Sequence, residues 1–210
     1  MSSDTLYILL SLTALGAAVL SGPTLLMARG VLRPAFGPDI ARARAPGLAL
    51  GIGAGALAAT AGVGTVLGGS AAVITAFLTL LVMLAAMDMA WRWLPLEWTL
   101  ALAALGFGAA VLSGDVTTAA LGAALGGGVL LALRQSFLTL RKVEALGLGD
   151  IWLAAALGAL IGPVHIIWLL GAAACLGLVL HFSARAPSRQ RLGVAFGAQL
   201  CVCAPIFVAF

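Results

Sequence analysis

Charge is the scarcest property of this 210-residue chain. Eleven Lys and Arg and seven Asp and Glu make up 9% of it, against about a quarter in a soluble domain. That shortage excludes a water-covered globular surface and puts the chain in a bilayer. Alternating segments of roughly ten residues are also missing, which excludes a membrane β-barrel. The only cysteines are Cys175, Cys201 and Cys203, all in apolar runs, with no Cys-x-x-Cys pair. Structural zinc lacks its ligand spacing, and the Cys201-Val202-Cys203 stretch reads as two buried small residues. His165 and His181 have no acid or cysteine at ligand spacing, so no metal and no cofactor is expected. No Lys or Arg precedes the first apolar run, only Asp4. A secretory signal needs a positive start, so this run reads as a retained span.

What is present is apolar and small: 63% hydrophobic residues and 27 glycines. We read an all-α polytopic membrane protein, a single integral-membrane domain over residues 1–210. A span needs roughly 20 apolar residues. The runs predict about eight transmembrane helices, near 5–28, 47–67, 71–90, 96–112, 116–137, 150–162, 164–183 and 192–210. The sixth is short, and Gly162-Pro163 is either a boundary or a kink in one longer helix. Charge favours the boundary. With eight spans every cation falls on one side: Arg29, Arg33, Arg42, Arg44, Arg92, Arg134, Arg141, Lys142, Arg185, Arg189 and Arg191. The other side carries Asp4, Asp115 and His165. By the positive-inside rule the basic side is cytoplasmic and both termini lie outside. The net charge of +4 is therefore a topology signal, and no nucleic-acid partner is expected.

Glycines recur at four-residue spacing in the pairs Gly51/Gly55, Gly64/Gly68, Gly122/Gly126 and Gly193/Gly197, a pattern that lets helices approach closely. Met83, Met87 and Met89 read as core or lipid packing. Trp91, Trp93 and Trp98 read as an interfacial belt.

Five of the seven acids have solvated or interfacial positions: Asp4, Asp39, Glu97, Asp115 and Glu144. Asp88 differs, because it follows an unbroken apolar run, residues 81–87. A carboxylate buried in a membrane costs about 3 kcal/mol on insertion scales. It could snorkel or pair with Arg92 one turn on. The topology offers another partner. The third span ends at the cytoplasmic side with Asp88, and the sixth begins there with Asp150, so the two carboxylates share a depth. Such a pair is the minimum apparatus for aspartyl hydrolysis. One carboxylate deprotonates a water, and its protonated partner donates to the scissile carbonyl, because close like charges share one proton. The helix ends suggest Asp150, at a helix N-terminus, as the base and Asp88, near a C-terminus, as the acid. Gly147 and Gly149 beside Asp150 offer unusual dihedrals and close backbone approach, leaving room for an extended peptide.

Gly147-Leu148-Gly149-Asp150, continued by the Ala/Gly-rich run 151–159, resembles the GxGD signature of type IV prepilin peptidases. In that family the other aspartate stands seven residues before a proline, and Asp88 with Leu94-Pro95 matches. The resemblance covers about residues 47–210. It implies a bacterial inner-membrane aspartic endopeptidase that removes basic leaders from prepilins or pseudopilins, for pilus or secretion systems, at the cytoplasmic face. It implies Asp88 and Asp150 as the catalytic pair, supported by Gly147, Gly149 and Pro95. Asp39, Glu97 and Glu144 are candidates for docking a basic leader. Relatives that also N-methylate the product carry paired Cys-x-x-Cys motifs in a cytoplasmic region. In this chain that connection is the cysteine-free loop 29–46, so a peptidase without methyltransferase activity is expected. Three positions depart from the pattern: Trp152 where lysine is common, which would take a cation away from the carboxylates; Leu96 where Asp or Asn is usual; and Phe196-Gly197-Ala198 in place of Phe-Gly-Pro. Other classes that fit two membrane carboxylates are a proton-coupled transporter, for which inverted repeats or a midplane charge are missing, and an inactive homologue within a pilus or secretion assembly.

Overall fold

A computed structural model describes residues 69–92, 94–142, 146–183 and 196–208, with Asp4, Thr5 and Ile8 near the amino terminus. Five helices make up this part: α1 (Gly69–Trp91), α2 (Leu96–Ser113), α3 (Val116–Arg141), α4 (Leu148–Ser183) and α5 (Phe196–Val208). No strand occurs among the described residues. Helices are what a bilayer demands, since each satisfies its own backbone hydrogen bonds without water. By length and composition, Gly69–Met89, Leu96–Ser113, Val116–Arg141 and Leu148–Phe182 can each cross a membrane. The chain is thus a helical membrane protein. The first two predicted spans and the loop 29–46 fall outside the described residues.

The helix boundaries have local causes. Pro95 holds φ −61° and ψ 126° and starts α2, because a proline in the first turn costs no intrahelical bond. Its carbonyl accepts from the Trp98 and Thr99 amides. Gly114 ends α2 in the left-handed region at φ 81°, its amide and that of Asp115 bonding back to Val111 and Ala110, the usual glycine C-cap. The amide of Gly69 donates to Asp4 Oδ1 at 3.4 Å, so Asp4 sits at the first turn of α1. α3 runs to Arg141, past the predicted end near residue 137. Its 26 residues reach about 39 Å, beyond the roughly 30 Å of hydrocarbon.

The 36 residues of α4 would measure about 54 Å as a straight rod. They are not straight. Gly162 has φ 81° and ψ 173° and is followed by Pro163, a conformation open in practice only to glycine. In a straight helix Asp150 and Gly177 would stand about 40 Å apart. Yet a Cβ on Gly197 would lie 2.9 Å from Asp150 Oδ1, and a Cβ on Gly177 2.5 Å from Gln199 Oε1. One short stretch of α5 therefore touches both. The chain reverses at Gly162, and α4 is a hairpin of two arms, as the boundary reading of Gly162-Pro163 anticipated. His165 Nδ1 bonds the Ile161 carbonyl at 3.1 Å across the turn.

Glycine sets the packing of α3 on the first arm. Positions 122 and 158 face each other so closely that a Cβ on either would strike the other's carbonyl, and a Cβ on Gly126 would strike that of Ala154. Gly122/Gly126 thus behaves as the close-packing pair its spacing predicts. Gly51, Gly55, Gly64, Gly68 and Gly193 fall outside the described residues. The core lies where α1, α2, both arms of α4 and α5 converge, around Phe77, Leu84, Leu102, Leu157, Leu169 and Leu200, all fully buried. Met83 and Met87 join it, whereas Met89 is exposed; Cys201 and Cys203 are buried. Trp98 leaves the expected interfacial belt: it is 1% exposed and part of the core, because α2 turns that side of its first turns toward α1 and α4, while the side chain of Trp91 and the whole of Trp93 fall outside the described residues.

Candidate active site

Three helix termini meet at one end of the bundle. α1 delivers Asp88 in its last turn, the hairpin α4 delivers Asp150 in its first, and α5 begins between them. Asp88 is buried, 5% exposed, so it does not snorkel. Its Oδ2 accepts a short hydrogen bond, 2.6 Å, from the amide of Ala198. Arg92, one turn on, acts on it electrostatically, and the Arg92 amide bonds the Asp88 carbonyl at 2.9 Å. Asp150 is half-buried. The backbones of Gly147 and Gly197 are directed at its carboxylate, which also feels the charge of Asp88.

Gly197 defines how close the two carboxylates come. A Cβ there would lie 2.9 Å from Asp150 Oδ1, 3.0 Å from Asp88 Oδ2 and 2.8 Å from Leu94 Cδ1. Both oxygens are therefore within 3.0 Å of one point and at most about 6 Å from each other. One water can bridge such a gap, since an O–H···O bond spans about 2.8 Å. The structure thus brings together the two aspartates that the sequence paired.

The supporting residues act differently from expectation. Neither Gly147 nor Gly149 has positive φ; among the described glycines only Gly114 and Gly162 do. Gly149 matters for space: a Cβ there would sit 3.0 Å from the Leu94 Cβ. At Gly147 a Cβ would make only ordinary contact, 3.6 Å from Asp150 Oδ2. Pro95 starts α2 and thereby places Leu94, whose side chain fills the space that Gly149 and Gly197 leave open.

Trp152 also departs from expectation. It is 54% exposed, between the buried Ile151 and Leu153. Two residues along a helix turn about 200°, so position 152 faces away from Asp150, and tryptophan there takes no cation from the pair. Leu96 and Glu97 are exposed in the first turn of α2. Asp39 and Glu144 fall outside the described residues.

The family model for the type IV leader peptidase family matches residues 75–182, a segment that contains both aspartates. The chain belongs to that family. No curated protein and no solved structure matches it. The leader peptidase match ends before α5, so Gly197 and Ala198 come from outside the matched segment. Sequence reasoning noticed this stretch only as a departure from Phe-Gly-Pro. The signal lay in that departure: proline has no N–H, and alanine at 198 supplies the one that Asp88 accepts.

Proposed function

We propose that this family member is an aspartic endopeptidase of the bacterial inner membrane that removes the basic leader of prepilin or pseudopilin precursors at the cytoplasmic face. The observation that carries the reading is the meeting of Asp88 and Asp150 across Gly197, both aspartates belonging to the segment matched to the leader peptidases. One carboxylate takes a proton from the water held between them, and the hydroxide adds to the scissile carbonyl carbon. The protonated partner donates to the carbonyl oxygen. Collapse of the tetrahedral intermediate breaks the C–N bond, and the departing amine receives the proton first taken from water. Helix dipoles do not separate acid from base in this pair, because the N-terminus of α5 meets Asp88 while the C-terminus of α1 carries it.

The exposed Glu97 stands in the first turn of α2, at the same end as the pair. In this reading it helps receive a basic leader, together with Asp39 and Glu144. The membrane presents the substrate, and no cofactor takes part.

The test is co-expression with candidate prepilins, reading the mobility shift of leader loss for wild type, Asp88→Ala and Asp150→Ala. Leader loss with wild type alone supports the proposal. Cleavage unaffected by both substitutions would remove the mechanism, and no cleavage of any prepilin would favour a transporter or an inactive homologue. Mass spectrometry of the product N-terminus checks the expected lack of methyl transfer: an N-methylated product made by this chain alone refutes it.

A further inference from the structure

We propose that the cavity at the end of the bundle opposite the carboxylate pair binds a primary ammonium group, the amine of a phospholipid headgroup or of a small soluble molecule. The proposal does not rest on the peptidase reading. The cavity holds about 350 Å³, at the lower end of the range for small-ligand sites. The last turns of α2, the first turn of α3 and the end of the first arm of α4 surround it. Small side chains make its floor. α2 meets the first arm at Gly106, where a Cβ would lie 3.1 Å from the Leu160 nitrogen, and α3 meets it at Gly122 and Gly158. Beyond those contacts the three helices touch through the buried alanines 110, 119 and 159, whose methyl groups leave the space between them unfilled.

The electrostatics of this space favour a cation. Asp115 lines it. Its carboxylate does not cap α3 and has no hydrogen bond or ion pair among the described residues. Ser113 and Thr118 stand beside it. α2 and the first arm both end here, at Ser113 and Gly162, and each helix C-terminus carries about half a negative charge. Pro163 has no N–H to give back to the first arm. α3 contributes a positive helix end, which the full charge of Asp115 outweighs. Among the described residues no Lys or Arg belongs to this end: Arg92, Arg134, Arg141 and Lys142 lie toward the other.

The kind of cation follows from the groups on offer. A single carboxylate is too little for a divalent ion that takes six or more oxygens, and no group of three His, Cys, Asp or Glu that could hold a metal occurs among the described residues. No aromatic ring lines the cavity, so a quaternary ammonium would lack its cation–π partner. What the cavity offers is hydrogen-bond acceptors, and a primary ammonium brings three N–H donors to meet them. Depth suits a headgroup amine as well. From Asp150 to Gly162 the first arm rises about 18 Å. With Asp150 at one membrane boundary, the cavity stands toward the opposite headgroup layer.

The test is calorimetric titration of the full chain in maltoside micelles with three probes: dihexanoyl phosphatidylethanolamine, dihexanoyl phosphatidylcholine and free ethanolamine. Wild type is expected to bind the ethanolamine lipid saturably and about tenfold or more tighter than the choline lipid, since only the first can donate charge-assisted hydrogen bonds. Asp115→Asn should weaken that binding about tenfold or more, and Asp115→Glu should retain it. Ala109→Phe, which fills the cavity and leaves Asp115 in place, should abolish it. Free ethanolamine bound as tightly as the lipid assigns the site to soluble amines, and binding of the lipid alone assigns it to the headgroup. Asp88→Asn is the control, because the carboxylate pair would also attract an amine; wild-type affinity in that variant supports the cavity. Equal affinity for the two lipids, unchanged affinity in Asp115→Asn or Ala109→Phe, or loss of binding in Asp88→Asn overturns the proposal, as does the lack of saturable binding of any probe. None of these outcomes touches the peptidase reading, whose test is cleavage.

Discussion

Gly197→Ala isolates the geometry of the carboxylate pair. The new methyl group would arrive 2.8 Å from Leu94 Cδ1, 2.9 Å from Asp150 Oδ1 and 3.0 Å from Asp88 Oδ2. Ordinary contacts of these kinds are several tenths of an ångström longer, so something must yield. Leu94 and Asp88 are buried and Asp150 is half-buried, so none of the three can move far. The carboxylates share the displacement with Leu94, each by about half an ångström, and the Ala198 bond stretches with them. A misplacement of about 1 Å at a reacting group costs about a hundredfold in rate, so kcat is expected to fall between about ten- and a hundredfold. Folding is affected less. Overpacking costs about 1–3 kcal/mol, while alanine is better than glycine in a helix by up to about 1 kcal/mol. The assay is prepilin cleavage in proteoliposomes, with thermal unfolding in detergent measured alongside. A Gly197→Ala enzyme with wild-type kcat would refute the claim that the pair meets at this α-carbon. A loss of activity that tracked loss of folded protein would refute its assignment to geometry.

Further outcomes follow from the same packing. Gly122→Ala and Gly158→Ala should each destabilise the α3–α4 contact by about 1–3 kcal/mol, whereas Gly128→Ala and Gly171→Ala, with nothing within 4 Å of the added carbon, should leave the thermal midpoint unchanged or slightly raised. Gly162→Ala forces a Cβ residue to φ 81° and toward Thr118 Cγ2 at 3.3 Å; a loss of about 1–3 kcal/mol is expected in detergent unfolding, and an unchanged midpoint would contradict the hairpin. Trp152→Lys should leave kcat within about twofold, because the side chain faces away from Asp150; a large change in kcat would show that this face does reach the carboxylates.

The pairing of Asp88 with Asp150 was legible in the sequence because it follows from topology alone. An acid at the end of one span and an acid at the start of a later one, separated by an even number of crossings in between, must share a membrane face. The turn at Gly162-Pro163 was legible for a similarly local reason, since glycine and proline punctuate the chain whatever surrounds them. Gly197 and Ala198 were not legible as site residues. Their contribution is a missing Cβ and a backbone N–H, neither of which has a signature in residue type, and their contacts with Asp88 bridge more than a hundred positions. Trp98 and Trp152 were misread for another reason. Both stand near a span boundary, but the helical phase that packing selects decides which is buried, and a run apolar on every side hides that phase. The overrun of α3 has a simpler cause: Arg134 and its polar neighbours look like a connection, yet helix continues wherever water can solvate its side chains.

The reversal at Gly162 also bears on how the protein enters its membrane. From residue 151 to residue 184 the chain has no Asp, Glu, Lys or Arg. At the tip, the ring of His165 is bonded to the Ile161 carbonyl. Carrying an ionised side chain through hydrocarbon would cost about 3 kcal/mol, and this tip has no Asp, Glu, Lys or Arg. The two arms can therefore insert together as a closed pair once residue 183 has been made, leaving the basic segments on either side behind. Asp150 then reaches its final depth in the same step that seats Gly177, and α5 packs against both.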